Sequence, residues 1–278
     1  MSELGPQRIA LLGHGAIGRR VEAALRERLA PGAALAALLR PGTLPPGGGA
    51  ADTGLRRFQD LDALLAWKPA LAVECAGHAV VAQAVPALLR AGCDVLIVSV
   101  GALGDAALRA EIEQAARAGG GRPLVVSGAI GGLDALRAAR VAGLDSVRYT
   151  GRKPPLAWAG TPAEARCDLA AVREPTVVFE GDADQAARAF PKNANVTAAV
   201  ALAGIGFERT AVTLVADPGV TANVHELQAS GAFGSLSLQL ANAPLPDNPK
   251  TSWLAALSIE AALHAHFHPF SIHSCEGS

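Results

Sequence analysis

Residues Arg8–Gly18 read RIALLGHGAIG, and how this stretch folds decides the architecture around it. The apolar run Arg8–Gly13 ends on a glycine, the pattern of a short strand buried in a parallel sheet. Behind it, Ile17–Leu29 stacks Val21, Leu25 and Leu29 four residues apart, as one face of a helix does. Between strand and helix lie Gly13, Gly15 and Gly18 in G-x-G-x-x-G spacing. Alone that spacing is weak; following a strand and opening a helix, it predicts a dinucleotide-binding turn. Gly13 permits the tight turn, Gly15 lets a pyrophosphate approach the backbone, and Gly18 lets the helix lie close against the strand. The first helical N–H groups, around Ala16 and Ile17, are left to bind the anion.

The same beat continues outward. Ala33–Leu39 is a second apolar run, followed by the Pro/Gly-rich loop RPGTLPPGGGAADTG. Leu61–Trp67, Val80–Arg90 and Ala106–Ala118 read as helices; Ala70–Ala76, Val95–Val100 and Leu124–Ser127 read as strands. Alternating strands and helices predict a doubly wound parallel sheet, a Rossmann domain over residues 1–128, with ligands at the carboxyl ends of its strands. In such domains an acid about 20 residues past the glycines grips the ribose of NAD. Here LLRPG places Arg40 at that point, a side chain suited to the 2′-phosphate of NADP or, equally, to solvating a strand end. Cys75, Ala76 and Gly77, in ECAGH, end the next parallel strand and offer backbone contacts to the cofactor, with Cys75 as a small buried hydrophobe.

Past residue 128 the rhythm changes. Val147–Arg152, Val177–Glu180, Thr210–Ala216, Val224–Ala229 and Leu236–Leu240 are strand-like, and several alternate polar with apolar side chains. Helices at Ala183–Ala189 and Val196–Ala203 interrupt them. The expectation is an α+β domain with an open mixed sheet over 129–245. A buried helix, Ser252–His266, then lies within a 246–268 segment returning to the first domain, and 269–278 form a tail. Three polar clusters stand out in this oily half: Lys192, Asn193 and Asn195; His225; and Lys250, Thr251 and Ser252. Each has a plain reading, as helix cap, satisfied histidine or solvated lysine. Together they suit a small, doubly charged substrate held against a nicotinamide ring.

Bulk properties exclude other classes. Twenty-four Lys and Arg against 25 Asp and Glu give a net charge of −1, which offers no footprint for nucleic acid or an anionic membrane. The N-terminus MSELGPQRIALLGHG lacks the basic and apolar regions of a secretory signal, and no apolar run is long enough to span a bilayer. Cys75, Cys93, Cys167 and Cys275 are scattered, arguing against zinc or disulfides and for a reducing cytoplasm. His264, His266 and His268 in HAHFH lack an acidic partner, and imidazoles in a last helical turn suit the helix dipole rather than a metal; no metal site is expected.

In order along the chain, GHGAIG, SGAIGGLDAL, FPKNANVTAAVALAGIG, ADPGVTANVHE and NPKTSWLAALSIEAAL resemble the L-aspartate dehydrogenase family, from about Arg8 to Phe267. The last four segments are far more specific than the first. The resemblance implies a Rossmann domain plus an α+β domain, assembled as a homodimer. It implies reversible oxidative deamination of L-aspartate to oxaloacetate and ammonia through iminoaspartate, with NAD or NADP. It puts the catalytic histidine at His225, cofactor contacts at Ala129 and Asn195, and the substrate end at Lys192, Asn193, Lys250, Thr251 and Ser252. The chain departs from the family at Arg40, at the long PGTLPPGGG loop and in its tail. Rival readings are a dihydrodipicolinate-reductase-like or homoserine-dehydrogenase-like enzyme, or a dinucleotide sensor without catalysis.

Overall fold

The computed structural model describes residues 7–42, 54–246 and 248–268, with the side chains of Lys192 and residues 248–250 excluded. Most of the Pro/Gly-rich loop and the tail therefore lie outside the described residues. The chain forms two compact units. One runs to Val126 and resumes at Ile259; the other is Ser127–Ser258.

In the first unit, β1 (Arg8–Leu12) leads through the glycine turn into α1 (Ala16–Ala24), whose last stretch, Leu25–Leu29, widens into a π-type turn. Then follow β2 (Ala34–Leu38), β3 (Leu55–Phe58), α2 (Leu61–Ala66), β4 (Leu71–Glu74), α3 (His78–Arg90), β5 (Asp94–Ile97), α4 (Ala106–Gly119) and β6 (Pro123–Val125). The strands lie in the order β3-β2-β1-β4-β5-β6, all parallel. Order reverses beside β1, so the crevice at its carboxyl end is where a Rossmann sheet receives its ligand. Ile9 to Leu12 are wholly buried, which is why β1 reads as an unbroken apolar run. Strand β3 escapes a sequence reading because only Leu55 and Phe58 of LRRF turn inward, at the edge of the sheet.

The second unit opens with α5 (Leu133–Ala142), which the strand-seeking reading of this half passes over. It continues with β7 (Leu144–Lys153), β8 (Thr176–Asp182), α6 (Ala183–Ala189), α7 (Ala194–Ala203), β9 (Thr210–Ala216), β10 (Asn223–Gly231) and β11 (Gly234–Asn242). Five strands form one mixed sheet in the order β11-β10-β7-β9-β8, with only β7 and β9 parallel. On β7 the odd positions Val147, Tyr149 and Gly151 are buried while Ser146 and Arg148 are exposed, so one face carries the core and the other is open. Helix α7 lies among core residues on nearly all sides, which accounts for its run of alanine and valine.

The chain ends with a short ribbon, β12 (Pro244–Leu245) against β13 (Asn248–Ser252), and α8 (Trp253–Phe267). Thr251 and Ser252 thus sit in β13, and α8 opens at Trp253, one residue later than expected, with its N–H donating to the Ala243 carbonyl. Further along α8, Glu260 accepts from Arg20 at 2.8 Å and Arg28 at 2.6 Å, tying that end of the helix to α1. Among the described residues no helix is long and apolar enough to cross a membrane.

Candidate functional site

Each unit holds one part of a site. In the first, Gly13 has φ +95°, open to glycine at little cost, and a Cβ there would lie 2.9 Å from the Cβ of Ala76. A Cβ on Gly18 would fall 2.4 Å from the Gly13 carbonyl oxygen, so the close crossing of β1 and α1 needs both residues bare. Above Gly15, by contrast, there is open space. Helix α1 has no side-chain cap among the described residues and no acid in its first turn, which leaves its leading N–H groups without a carboxylate from the helix itself. A cavity of about 540 Å³ opens here, lined by Gly13, Gly15, Leu38, Arg40, Cys75 and Ala76 among others. The bare turn, the uncapped helix and a largely apolar cleft fit a dinucleotide. Arg40 stands exposed at the rim, its carbonyl accepting from Gln59 at 3.2 Å.

Under that crevice lies Glu74, fully buried. Its Oε1 accepts from the backbone N–H groups of Ala76 and Gly77 at 2.8 Å and from the Ser99 hydroxyl at 3.1 Å; its Oε2 accepts from Ser99 N–H at 2.8 Å. The carboxylate thereby ties the turn after β4 to the end of β5. Cys75, next along, is inert: burial and the Glu74 charge push its thiol far above the usual range, and its Sγ lies 3.5 Å from the Val73 carbonyl.

In the second unit His225 sits on β10, 5% exposed, directly across from Gly151 on β7 and Leu240 on β11. Its Nδ1 is 2.8 Å from the Tyr149 hydroxyl, while its buried Nε2 has no hydrogen-bond partner among the described residues. Gly151 makes the first contact possible, because a Cβ there would stand 2.8 Å from the Tyr149 oxygen. Burial, reinforced by the charge of Lys153, lowers the His225 pKa to about 4, so the ring is neutral at pH 7. Burial pushes Tyr149 well above the usual phenol range, so it stays a neutral hydroxyl able to donate or accept. Lys153, two positions beyond Gly151, hydrogen-bonds the Oδ1 of Asn193 and lies 5.1 Å from the Trp158 ring centroid; burial lowers its pKa to about 8.

The polar residues singled out from the sequence fall variously. Asn193 stands at the head of α7 but makes no capping bond, its amide oxygen being taken by Lys153. Asn195 is exposed in the first turn of α7. Ala129 is buried, its carbonyl accepting from Asn242 at 2.8 Å, and neighbouring Gly128 N–H donates to Ser258. The buried Ser252 hydroxyl accepts from Asn223, two residues before His225, at 3.3 Å, and Thr251 is half-buried. The side chains of Lys192 and Lys250 lie outside the described residues. Among the described residues no His, Cys, Asp and Glu gather to hold a metal. Sequence reasoning missed Glu74, Tyr149, Gly151 and Lys153. The period-2 pattern of YTGRK places the last three on one face, but nothing in it announces that His225 lies opposite.

Fold and site together define a two-domain oxidoreductase that uses a nicotinamide dinucleotide. Residues 13–125 match the family described as homoserine dehydrogenase, NAD binding domain, and residues 134–266 match aspartate dehydrogenase, C-terminal. L-aspartate dehydrogenase from Pseudomonas aeruginosa is 53% identical over 205 residues, covering 74% of this chain and 77% of that one. The enzyme of that name from Cupriavidus taiwanensis is 46% identical over 95% of this chain and 99% of its own. The crystal structure of aspartate dehydrogenase from Thermotoga maritima superposes with a TM-score of 0.76 at 26% identity, covering 95% of this chain and 98% of that one. The chain belongs to the L-aspartate dehydrogenase family.

Proposed function

We propose that the protein catalyses reversible oxidative deamination of L-aspartate to oxaloacetate and ammonia, and the observation that carries this is the half-satisfied imidazole of His225. Its Nδ1 is anchored on Tyr149, while its Nε2 is buried, neutral and unpartnered. With Nδ1–H donating to the phenol oxygen, Nε2 presents a lone pair, the form that takes a proton from the substrate ammonium. Bound dinucleotide supplies the nicotinamide that accepts the hydride leaving the substrate α-carbon. Once the proton taken from the ammonium has passed to solvent, the same Nε2 can take the proton of the water that adds to iminoaspartate and return it to the departing amine.

The bare turn Gly13–Gly18, with Ala16 and Ile17, is assigned to the pyrophosphate, and Cys75–Gly77 to further backbone contacts. Ala129 and Asn195 are assigned to the nicotinamide nucleotide; Lys192, Asn193, Lys250, Thr251 and Ser252 to the substrate end. NADP is the favoured cofactor with NAD accepted, because Arg40 stands at the rim and no acid occupies LLRPG. A homodimer working in a reducing cytoplasm is part of the same proposal, supported by the family and by free Cys75, Cys93 and Cys167. The test is nucleotide reduction with L-aspartate, and its oxidation with oxaloacetate plus ammonium; absence of both overturns the proposal. In the same assay, Arg40→Ala is expected to lower the NADP-to-NAD ratio of kcat/KM.

A further inference from the structure

We propose that Lys153 takes a carboxylate of the substrate, so that a dicarboxylate is held beside His225. This rests on the aspartate dehydrogenase reading but adds a residue that neither the chemistry of the histidine nor the glycine turn requires. The placement comes from strand register. Gly151 pairs with His225, and Lys153 follows two residues later on the same face of β7, about 7 Å further along.

What surrounds Lys153 suits an incoming anion. Its ammonium carries three donors and no acceptor. It meets the amide oxygen of Asn193 and the face of the Trp158 ring, both uncharged. Trp158 is itself fixed, fully buried, its indole N–H donating to the Val215 carbonyl at 3.1 Å. No carboxylate among the described residues pairs with Lys153 or perturbs its titration. The acids nearest in sequence register, Asp217 and Glu226, are engaged instead with Arg152. A half-buried cation without a counter-charge is costly, and an arriving carboxylate removes that cost. The second observation is independent: His225 Nε2, on the same face of the sheet, is buried and has no partner among the described residues, so the cation lacks a counter-charge and the imidazole nitrogen lacks a hydrogen bond.

A consequence follows for proton transfer. The groups facing His225 are Tyr149 and Lys153, and the lysine charge is one of the two causes that depress the imidazole. A carboxylate on Lys153 neutralises that charge and lifts part of the depression, so the base strengthens as the substrate arrives. Anion binding in turn requires protonated Lys153, and weakens as pH rises through about 8.

Succinate tests this, since it has both carboxylates and no amine to titrate. In wild type, calorimetry should show binding that weakens above pH 8, and NMR should show the His225 titration midpoint rising with succinate. Lys153→Met, nearly isosteric, should weaken succinate binding and raise the aspartate KM by about ten- to a hundredfold, the range for a lost hydrogen bond to a charged group. It should also abolish the succinate effect on His225. Lys153→Arg should hold affinity above pH 8, because guanidinium does not deprotonate there. If Lys153→Met leaves succinate affinity, KM and the histidine midpoint unchanged, the assignment is overturned. If wild type binds succinate in this way but leaves aspartate unoxidised, the proposed reaction fails while the carboxylate site stands.

Discussion

Glu74 and His225 are both buried on strands, one in each unit, and they differ in how completely their neighbours satisfy them. Glu74 accepts four hydrogen bonds, from Ala76, Gly77 and both donors of Ser99. Among the described residues His225 has one side-chain partner, Tyr149, and a second nitrogen with none. A buried carboxylate with four donors directed at it behaves as scaffold, holding two loops in place. A buried imidazole with an orphan nitrogen carries a desolvation cost that a ligand relieves. The difference therefore separates a group that holds the turns of the crevice in place from the one proposed to act on a substrate, although both are merely "buried polar" by position.

That contrast can be broken experimentally. The largest effect belongs to His225→Ala, expected to slow turnover by about 10²–10⁴-fold while dinucleotide affinity, read by fluorescence titration, stays at the wild-type value. Loss of both together would mean the two units do not divide labour in this way. Glu74→Leu is the mirror experiment. Several buried donors lose their acceptor at about 1–3 kcal/mol each, so denaturant unfolding should show about 3 kcal/mol or more of lost stability. Glu74→Gln should recover part of it, since the amide oxygen still accepts.

Tyr149→Phe removes one hydrogen bond and should slow turnover about two- to tenfold. Gly151→Ala should reproduce it by displacing the phenol, which sits 2.8 Å from where the new Cβ would lie. If steady-state kinetics give Tyr149→Phe full activity, the phenol does not anchor the base. A further effect is on stability against pH. His225 has an ordinary pKa of 6.5 and a folded value of about 4, set by burial and Lys153. Between those values the unfolded chain binds a proton that the folded chain refuses, so stability falls as pH drops through that window. His225→Gln should flatten the slope in urea titrations at pH 6.5, 5.5 and 4.5, and an unchanged slope would show that another group controls it.

The amino-acid sequence by itself determined the first unit closely, because its signals are local. An apolar run, three glycines and a helical stripe must be adjacent in the chain to work, so RIALLGHGAIG contains its own context. Five of the six parallel strands are legible for the same reason; β3 is not, since an edge strand with two arginines carries little apolar pattern. His225 and Asn193 were marked by their chemistry and by the specificity of the segments around them. What only the tertiary structure decided is partnership across the mixed sheet. Strands β7 and β10 are separated by some 70 residues in sequence, and their register places Gly151 opposite His225. A one-residue slip would turn Tyr149, Gly151 and Lys153 to the other face, and no feature within VRYTGRK forbids that slip. Register is fixed by burying one face of the whole sheet at once, so the environment of the histidine is a property of the packed unit and not of any segment.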